Sequence, residues 1–156
     1  MQKPKLIILA GPTAVGKTDN SIRLAKAVNG EIISADSMQV YKKMDIGTAK
    51  IMPEEMDGVP HYLIDVLDPK EDFHVVLFQK LAKEAMEMIY AKGKIPIITG
   101  GTGFYIQALL YDIAFKENDG DMVYREELEA LAREKGAEYL HQMLADIDEE
   151  AAKAIH

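Results

Sequence analysis

Four residues near the N-terminus carry the plainest chemical signal. In "LAGPTAVGKTD" (9–19), Gly11, Gly16, Lys17 and Thr18 fit the spacing G-x-x-x-x-G-K-[ST]. In that pattern a glycine-rich turn points consecutive backbone N–H groups at an anion. The helix that follows adds the positive end of its dipole. Lys17 contributes a point charge, and the Thr18 hydroxyl can ligate Mg²⁺. The pattern follows an apolar run and precedes a helix-like stretch, which is the context such a loop requires. It selects a diphosphate, whatever that diphosphate carries.

Further polar residues sit just beyond later apolar runs. "SADSMQVYKKM" (34–44) places Asp36, Ser37 and Gln39 in such a position. Asp36 reads equally as an N-cap that opens a helix and as a group that binds Mg²⁺ through water or takes a proton from a nucleophile. "ITGGTGFY" (98–105) joins glycines that permit close backbone approach to the hydroxyl of Thr102. In "YLIDVLDP" (62–69), Asp65 follows an apolar run as a Walker B aspartate does. Asp68-Pro69 favours structural punctuation instead. "GTAK" (47–50) offers Thr48 and Lys50 and says little alone. His61, His74, His141 and His156 show no metal-ligand spacing, and the nine Met read as core filler.

The elements that must position these residues follow from periodicity. "KLIILA" (5–10), "EIISAD" (31–36), "HYLIDV" (61–66) and "IPIIT" (95–99) are short apolar runs of the kind buried in parallel sheets. Between them the pattern predicts a helix from Lys17 to Val28 stopped by "NG". It predicts another from Phe73 to Lys92, capped by Asp72 and closed by Gly93, and a third over 104–111. Strands alternating with helices give an α/β fold with a parallel sheet and ligands at the carboxyl ends of the strands. After "KENDGD" (116–121) the sequence turns purely helical and charged, so the expected division is a core over 1–111 and a helical subdomain over 112–156.

The totals bound the rest. A chain of 156 residues, 48% hydrophobic and 28% charged, suits one globular domain with an appendage. With no Cys there is no disulfide and no thiolate metal site, which fits a reducing cytosol. No apolar run approaches the ~20 residues that span a bilayer, so no membrane association is expected. The net charge of −8 argues against a nucleic-acid partner, but the charge is unevenly placed. Residues 1–60 hold eight Lys/Arg against seven Asp/Glu, whereas residues 61–156 hold ten against nineteen.

The residues alone leave a kinase, an NTPase and a transferase open. "GPTAVGKT" (11–18), "ISADSMQVYK" (33–42), "IGTAK" (46–50), "VPHYLIDV" (59–66) and "ITGGTGFYIQALL" (98–110) occur in that order. Together they resemble the tRNA dimethylallyltransferase, or tRNA isopentenyltransferase, family over about residues 4–156. "ADSMQVY" and "GGTGFY" are the most specific parts. The tail "DIDEEAAKAIH" (146–156) resembles part of the family's helical insert.

The resemblance implies a P-loop NTPase-like parallel sheet with helices on both faces, plus a helical insert that faces tRNA. It implies transfer of a dimethylallyl group from dimethylallyl diphosphate to N6 of adenosine 37, beside the anticodon, with Mg²⁺ assisting. In that reading Gly11, Thr13, Ala14, Val15, Gly16, Lys17 and Thr18 hold the diphosphate, and Thr18 ligates Mg²⁺. Asp36 is the general base, and Lys17 and Thr102 act at the reacting centre. Asp36, Ser37, Met38, Gln39, Thr102 and Arg125 meet the tRNA. The implied protein is a cytoplasmic monomer.

The family's pattern continues beyond "AAKAIH". The expectation is therefore a part of a longer protein, whose 156 residues alone bind diphosphate weakly and transfer little. Two alternatives remain: a small-molecule P-loop kinase using ATP, and a P-loop domain without catalysis. The kinase would need an arginine-bearing lid, and the chain has only Arg23, Arg125 and Arg133.

Overall fold

The computed structural model describes residues 4–12, 14–115 and 122–155. The chain divides into two compact units, Met1–Ala114 and Phe115–His156. The first unit contains four parallel strands: β1 (Ile7–Ala10), β2 (Gly30–Ser34), β3 (His61–Tyr62) and β4 (Ile95–Gly100). Their spatial order is β1-β4-β2-β3. Ile32 and Ile33 of β2 lie level with Ile97 and Ile98 of β4, which sets the register.

Side chains alternate across this sheet, and both faces are covered. Ile32 and Ile97 pack on one side with Ile22 and Ala25 of helix α1 (Lys17–Val28). Ile33 and Ile98 point the other way, into a larger cluster with Phe78, Ala82, Ala85 and Ile89 of α2 (Val75–Ala91). Tyr105, Ile106 and Leu109 of α3 (Gly103–Leu110) complete that cluster. Burial on both faces is why these strands read as unbroken apolar runs. Helices on each face follow from right-handed crossovers between parallel strands.

The ends of the helices explain where the sequence reading shifts. Asn29 ends α1 in the left-handed conformation, with its N–H on the Ala25 carbonyl. α2 closes in a Schellman arrangement: Gly93 N donates to Tyr90 O at 2.9 Å and Lys94 N to Ile89 O at 3.2 Å. Its start differs from expectation. The cap is His74, whose Nδ1 accepts from Leu77 N at 3.4 Å, and not Asp72. The third strand is also shorter than "HYLIDV" suggested. Leu63 (φ 62°) and Asp65 (φ 54°) adopt left-handed backbone, which ends extended pairing after Tyr62. Pairing resumes only as a single bridge between Tyr41 and Leu67.

The glycine at the end of β4 is fixed by crowding. A Cβ on Gly100 would lie 2.3 Å from the Ala35 carbonyl oxygen, so any side chain there would displace the backbone next to Asp36. At the other end of the sheet, Glu31 is buried and takes hydrogen bonds from Lys92 (3.0 Å), Lys94 (2.8 Å) and the Tyr62 hydroxyl (2.7 Å). Burial alone would raise its pKa. The hydrogen bonds from Lys94, Tyr62 and Lys92 more than offset this and hold it at about 2.

The second unit is helical: α4 (Met122–Lys135), α5 (Ala137–Ile147) and α6 (Glu149–Lys153). Asp148 caps α6 by accepting from Ala151 N at 2.9 Å. His141 Nε2 lies 2.9 Å from the Ala152 carbonyl and ties α5 to α6. Among the described residues no helix is long and apolar enough to cross a membrane.

Candidate functional site

The carboxyl ends of β1, β2 and β4 open on a cleft of ≈ 350 Å³. β1 delivers the glycine-rich loop, and Ala14, Gly16, Lys17 and Thr18 line one wall. Ala14 (φ 64°) and Gly16 (φ 79°) are both left-handed. That alternation curls a loop so that its N–H groups converge, as in anion-binding nests. Gly16 is also the N-cap of α1 and supplies no side chain to the first turn. The first N–H groups of the helix are thereby left to serve a ligand. Lys17 Nζ donates to the Pro12 carbonyl, which holds its ammonium inside the loop.

The facing wall comes from Ser34, Asp36 and Gln39 after β2, and from Thr99, Gly100 and Gly101 at the end of β4. The two readings of Asp36 are both realised. Its Oδ1 accepts from Met38 N at 2.8 Å and from Gln39 N at 3.2 Å, which caps a turn, although no helix follows. Its other oxygen makes no hydrogen bond among the described residues and is available to the cleft. Gln39 Nε2 donates to the carbonyls of Thr48 and Ala49, both at 3.3 Å, and those two residues close the cleft. Ser34 Oγ donates to Gln39 Oε1 at 3.5 Å.

The arrangement joins an anion cradle to a half-buried carboxylate and a fixed amide. It can hold a diphosphate while a proton is removed from a group beside it. The family described as IPP transferase matches over residues 39–156. The chain belongs to the IPP transferase family. A tRNA dimethylallyltransferase of Lachnoclostridium phytofermentans is 66% identical over 151 residues, which cover 97% of this chain and 48% of the relative. The crystal structure of the full-length tRNA isopentenylpyrophosphate transferase of Bacillus halodurans aligns with a TM-score of 0.73 at 52% identity. That alignment covers 99% of this chain and 51% of the other. A eukaryotic dimethylallyltransferase described as acting on tRNA aligns with a TM-score of 0.85 at 34% identity, over 99% of this chain and 38% of the other. The chain spans about half the length of the curated relatives it matches.

Several expected site residues are not among those that line this cleft. Thr102 caps α3 without using its hydroxyl and donates its N–H to Ala35 O at 3.4 Å; its neighbour Gly101 is the residue that lines the cleft. Met38 lines a second, more apolar cavity of ≈ 430 Å³ with Lys43, Met44, Asp45, Ile46, Gly47 and Thr48. Gly11, Val15 and Ser37 flank the cleft in sequence and are not part of its lining. Arg125 stands on α4 in the second unit, strongly exposed and 3.9 Å from Glu129. Thr13 lies outside the described residues.

Sequence reasoning missed Ser34, Ala49 and Thr99, whereas "GTAK" offers Thr48 and "ITGGTGFY" the glycines Gly100 and Gly101. Ser34 ends β2, and Thr99 and Gly100 close β4 just before Gly101, so the rule that ligands gather at strand carboxyl ends was the available signal. Asp65 proves structural: its Oδ1 lies 2.6 Å from Lys50 Nζ. No arginine is among the residues that line the cleft, and Arg133 lies 3.6 Å from Glu129. His61 donates from Nδ1 to the Val59 carbonyl at 2.8 Å, and burial lowers its pKa. Among the described residues there is no cluster of three or more His, Asp or Glu suited to a metal.

Proposed function

We propose that the protein transfers a dimethylallyl group from dimethylallyl diphosphate to the exocyclic amine of adenosine 37 in tRNA and releases diphosphate. The observation that carries this reading is the convergence of the Lys17–Thr18 loop and Asp36 on one cleft. The relatives' names supply the dimethylallyl group and tRNA, and the resemblance of the motifs supplies adenosine 37.

The chemistry follows from the groups present. The adenine amine is a poor nucleophile because its lone pair is delocalised into the ring. A carboxylate within hydrogen-bond reach orients the amine and takes its proton. Asp36 suits that role, since one oxygen is fixed by backbone N–H groups and the other makes no hydrogen bond among the described residues. The bond from the allylic carbon to the diphosphate oxygen breaks as the carbon–nitrogen bond forms. Negative charge then grows on the leaving diphosphate. The loop N–H groups and Lys17 stabilise it in place, with no reorganisation at the moment of reaction. The Thr18 hydroxyl, a hard oxygen donor at the loop, suits Mg²⁺, which keeps most of its shell from water and phosphate oxygens. When bound, the metal neutralises diphosphate charge. Thr102, Ser37, Met38 and Arg125 remain assigned to tRNA contact, Gly11, Thr13 and Val15 to the diphosphate loop, and the helical segment 112–156 to the tRNA-facing insert.

A transfer assay tests this. The chain is mixed with Mg²⁺, radiolabelled dimethylallyl diphosphate and unmodified tRNA. Slow labelling of tRNA that vanishes in Asp36→Ala is the expected result. ATP bound in preference to dimethylallyl diphosphate, or unchanged labelling by Asp36→Ala, overturns the reading.

A further inference from the structure

Lys50 is the most deeply buried cation among the described residues of the first unit: its side chain is 1% exposed. It donates to the Tyr41 carbonyl at 2.6 Å, to Asp45 Oδ1 at 2.8 Å and to Asp65 Oδ1 at 2.6 Å. An ammonium has three protons, and each has an acceptor here. Asp45 and Asp65 are each about half exposed, so the lysine is enclosed while its partners meet water. Burial alone would lower the Lys50 pKa, but the two carboxylates more than offset this and keep it charged.

The three acceptors belong to segments that converge on Gln39. The backbone N–H of Asp65 donates to Gln39 O at 3.2 Å. The turn 45–50, folded over Lys50, presents the carbonyls of Thr48 and Ala49 to Gln39 Nε2. Thr48 Oγ1 in turn donates to Met44 O at 2.5 Å. Ala49 (φ 47°) and Asp65 (φ 54°) both hold left-handed backbone, a strained state for non-glycine residues that the surroundings must over-determine. Both amide protons of Gln39 are thus turned away from Ser34, and Oε1 accepts from Ser34 Oγ at 3.5 Å and keeps a second lone pair as an acceptor. Asp36 and Gln39 both line the one cleft, and each carries an acceptor oxygen.

We propose that Lys50 is a positioning residue that fixes the side-chain amide of Gln39, so that the cleft favours a base bearing a primary amine over one bearing a carbonyl oxygen. An amine such as that of adenine can donate one proton to each acceptor. The oxygen of an inosine-like base would face two acceptors unpaired. The proposal rests on the transferase reading for the identity of the base, but its structural half does not.

The test uses Lys50→Met, the rescue variant Lys50→Arg, and Asp45→Ala/Asp65→Ala, which leaves the buried stem in place. The ¹⁵N spectrum of the Gln39 side-chain amide is recorded for each. In the native chain both protons exchange slowly. In Lys50→Met and in the double variant they shift and exchange at least tenfold faster, and Lys50→Arg restores much of the protection. A Gln39 amide unmoved in a folded Lys50→Met or double variant overturns the positioning role. Binding of anticodon stem-loops carrying adenosine or inosine at position 37 is then compared. A native preference for adenosine that falls at least fivefold in the disrupted variants, with dimethylallyl diphosphate binding unchanged, supports the specificity role. A preference that survives disruption of the amide overturns it. A native chain that binds neither dimethylallyl diphosphate nor stem-loop refutes the transferase reading, and the amide spectrum still decides the role of Lys50.

Discussion

Two side chains divide the work of the cleft, and each has its own test. Lys17 is held inside the loop by the Pro12 carbonyl, and in the proposed transfer it meets the diphosphate as a charge. A charge-assisted hydrogen bond contributes about 1.5–3 kcal/mol, so Lys17→Met should weaken dimethylallyl diphosphate binding roughly 10- to 100-fold by calorimetry. Asp36 has one oxygen bound by backbone N–H groups and one that the proposal makes the base, so Asp36→Asn separates them. The amide oxygen still accepts from Met38 and Gln39, and the base is lost. Thermal stability and diphosphate affinity should stay near native, while transfer falls about 10²- to 10⁴-fold. Equal loss of affinity and transfer would make Asp36 a folding residue. The sequence made the loop legible because its spacing encodes a backbone shape. Lys50 was not legible, because its three acceptors come from residues 41, 45 and 65, brought together only by the fold.

At the level of elements, the sheet was read from its apolar runs and the helix stops from "NG" and Gly93. The third strand was overread, since nothing in "HYLIDV" marks Leu63 and Asp65 as left-handed. Two predictions belong here. Gly100→Ala drives a methyl into the Ala35 carbonyl and should lower the melting temperature by roughly 5 °C or more, with loss of diphosphate binding as Asp36 shifts. The Glu31 cluster predicts an acid limb. The folded state binds this proton more weakly than the unfolded chain, for which the usual value is 4.5. Its stabilisation is therefore complete above about pH 4.5 and drains away as pH falls toward 2. The shift corresponds to a contribution on the order of 3 kcal/mol, which Glu31→Gln should remove, flattening urea stability across that window.

Over the whole molecule, charge and extent shape the partner. The segment 61–156 carries nineteen acids against ten bases, and the chain spans about half of its curated relatives. Affinity for nucleic-acid backbone rests on Lys and Arg and falls steeply with salt. The chain alone should therefore bind tRNA no tighter than about 10⁻⁵ M in physiological salt, measured by fluorescence anisotropy.

The central claim is that this cleft is built for an allylic diphosphate. Calorimetric titration of the chain with dimethylallyl diphosphate and with ATP, each with Mg²⁺, tests it most directly. The account predicts that dimethylallyl diphosphate binds, that Lys17→Met weakens it, and that ATP binds at least tenfold more weakly. ATP binding more tightly than dimethylallyl diphosphate would contradict it.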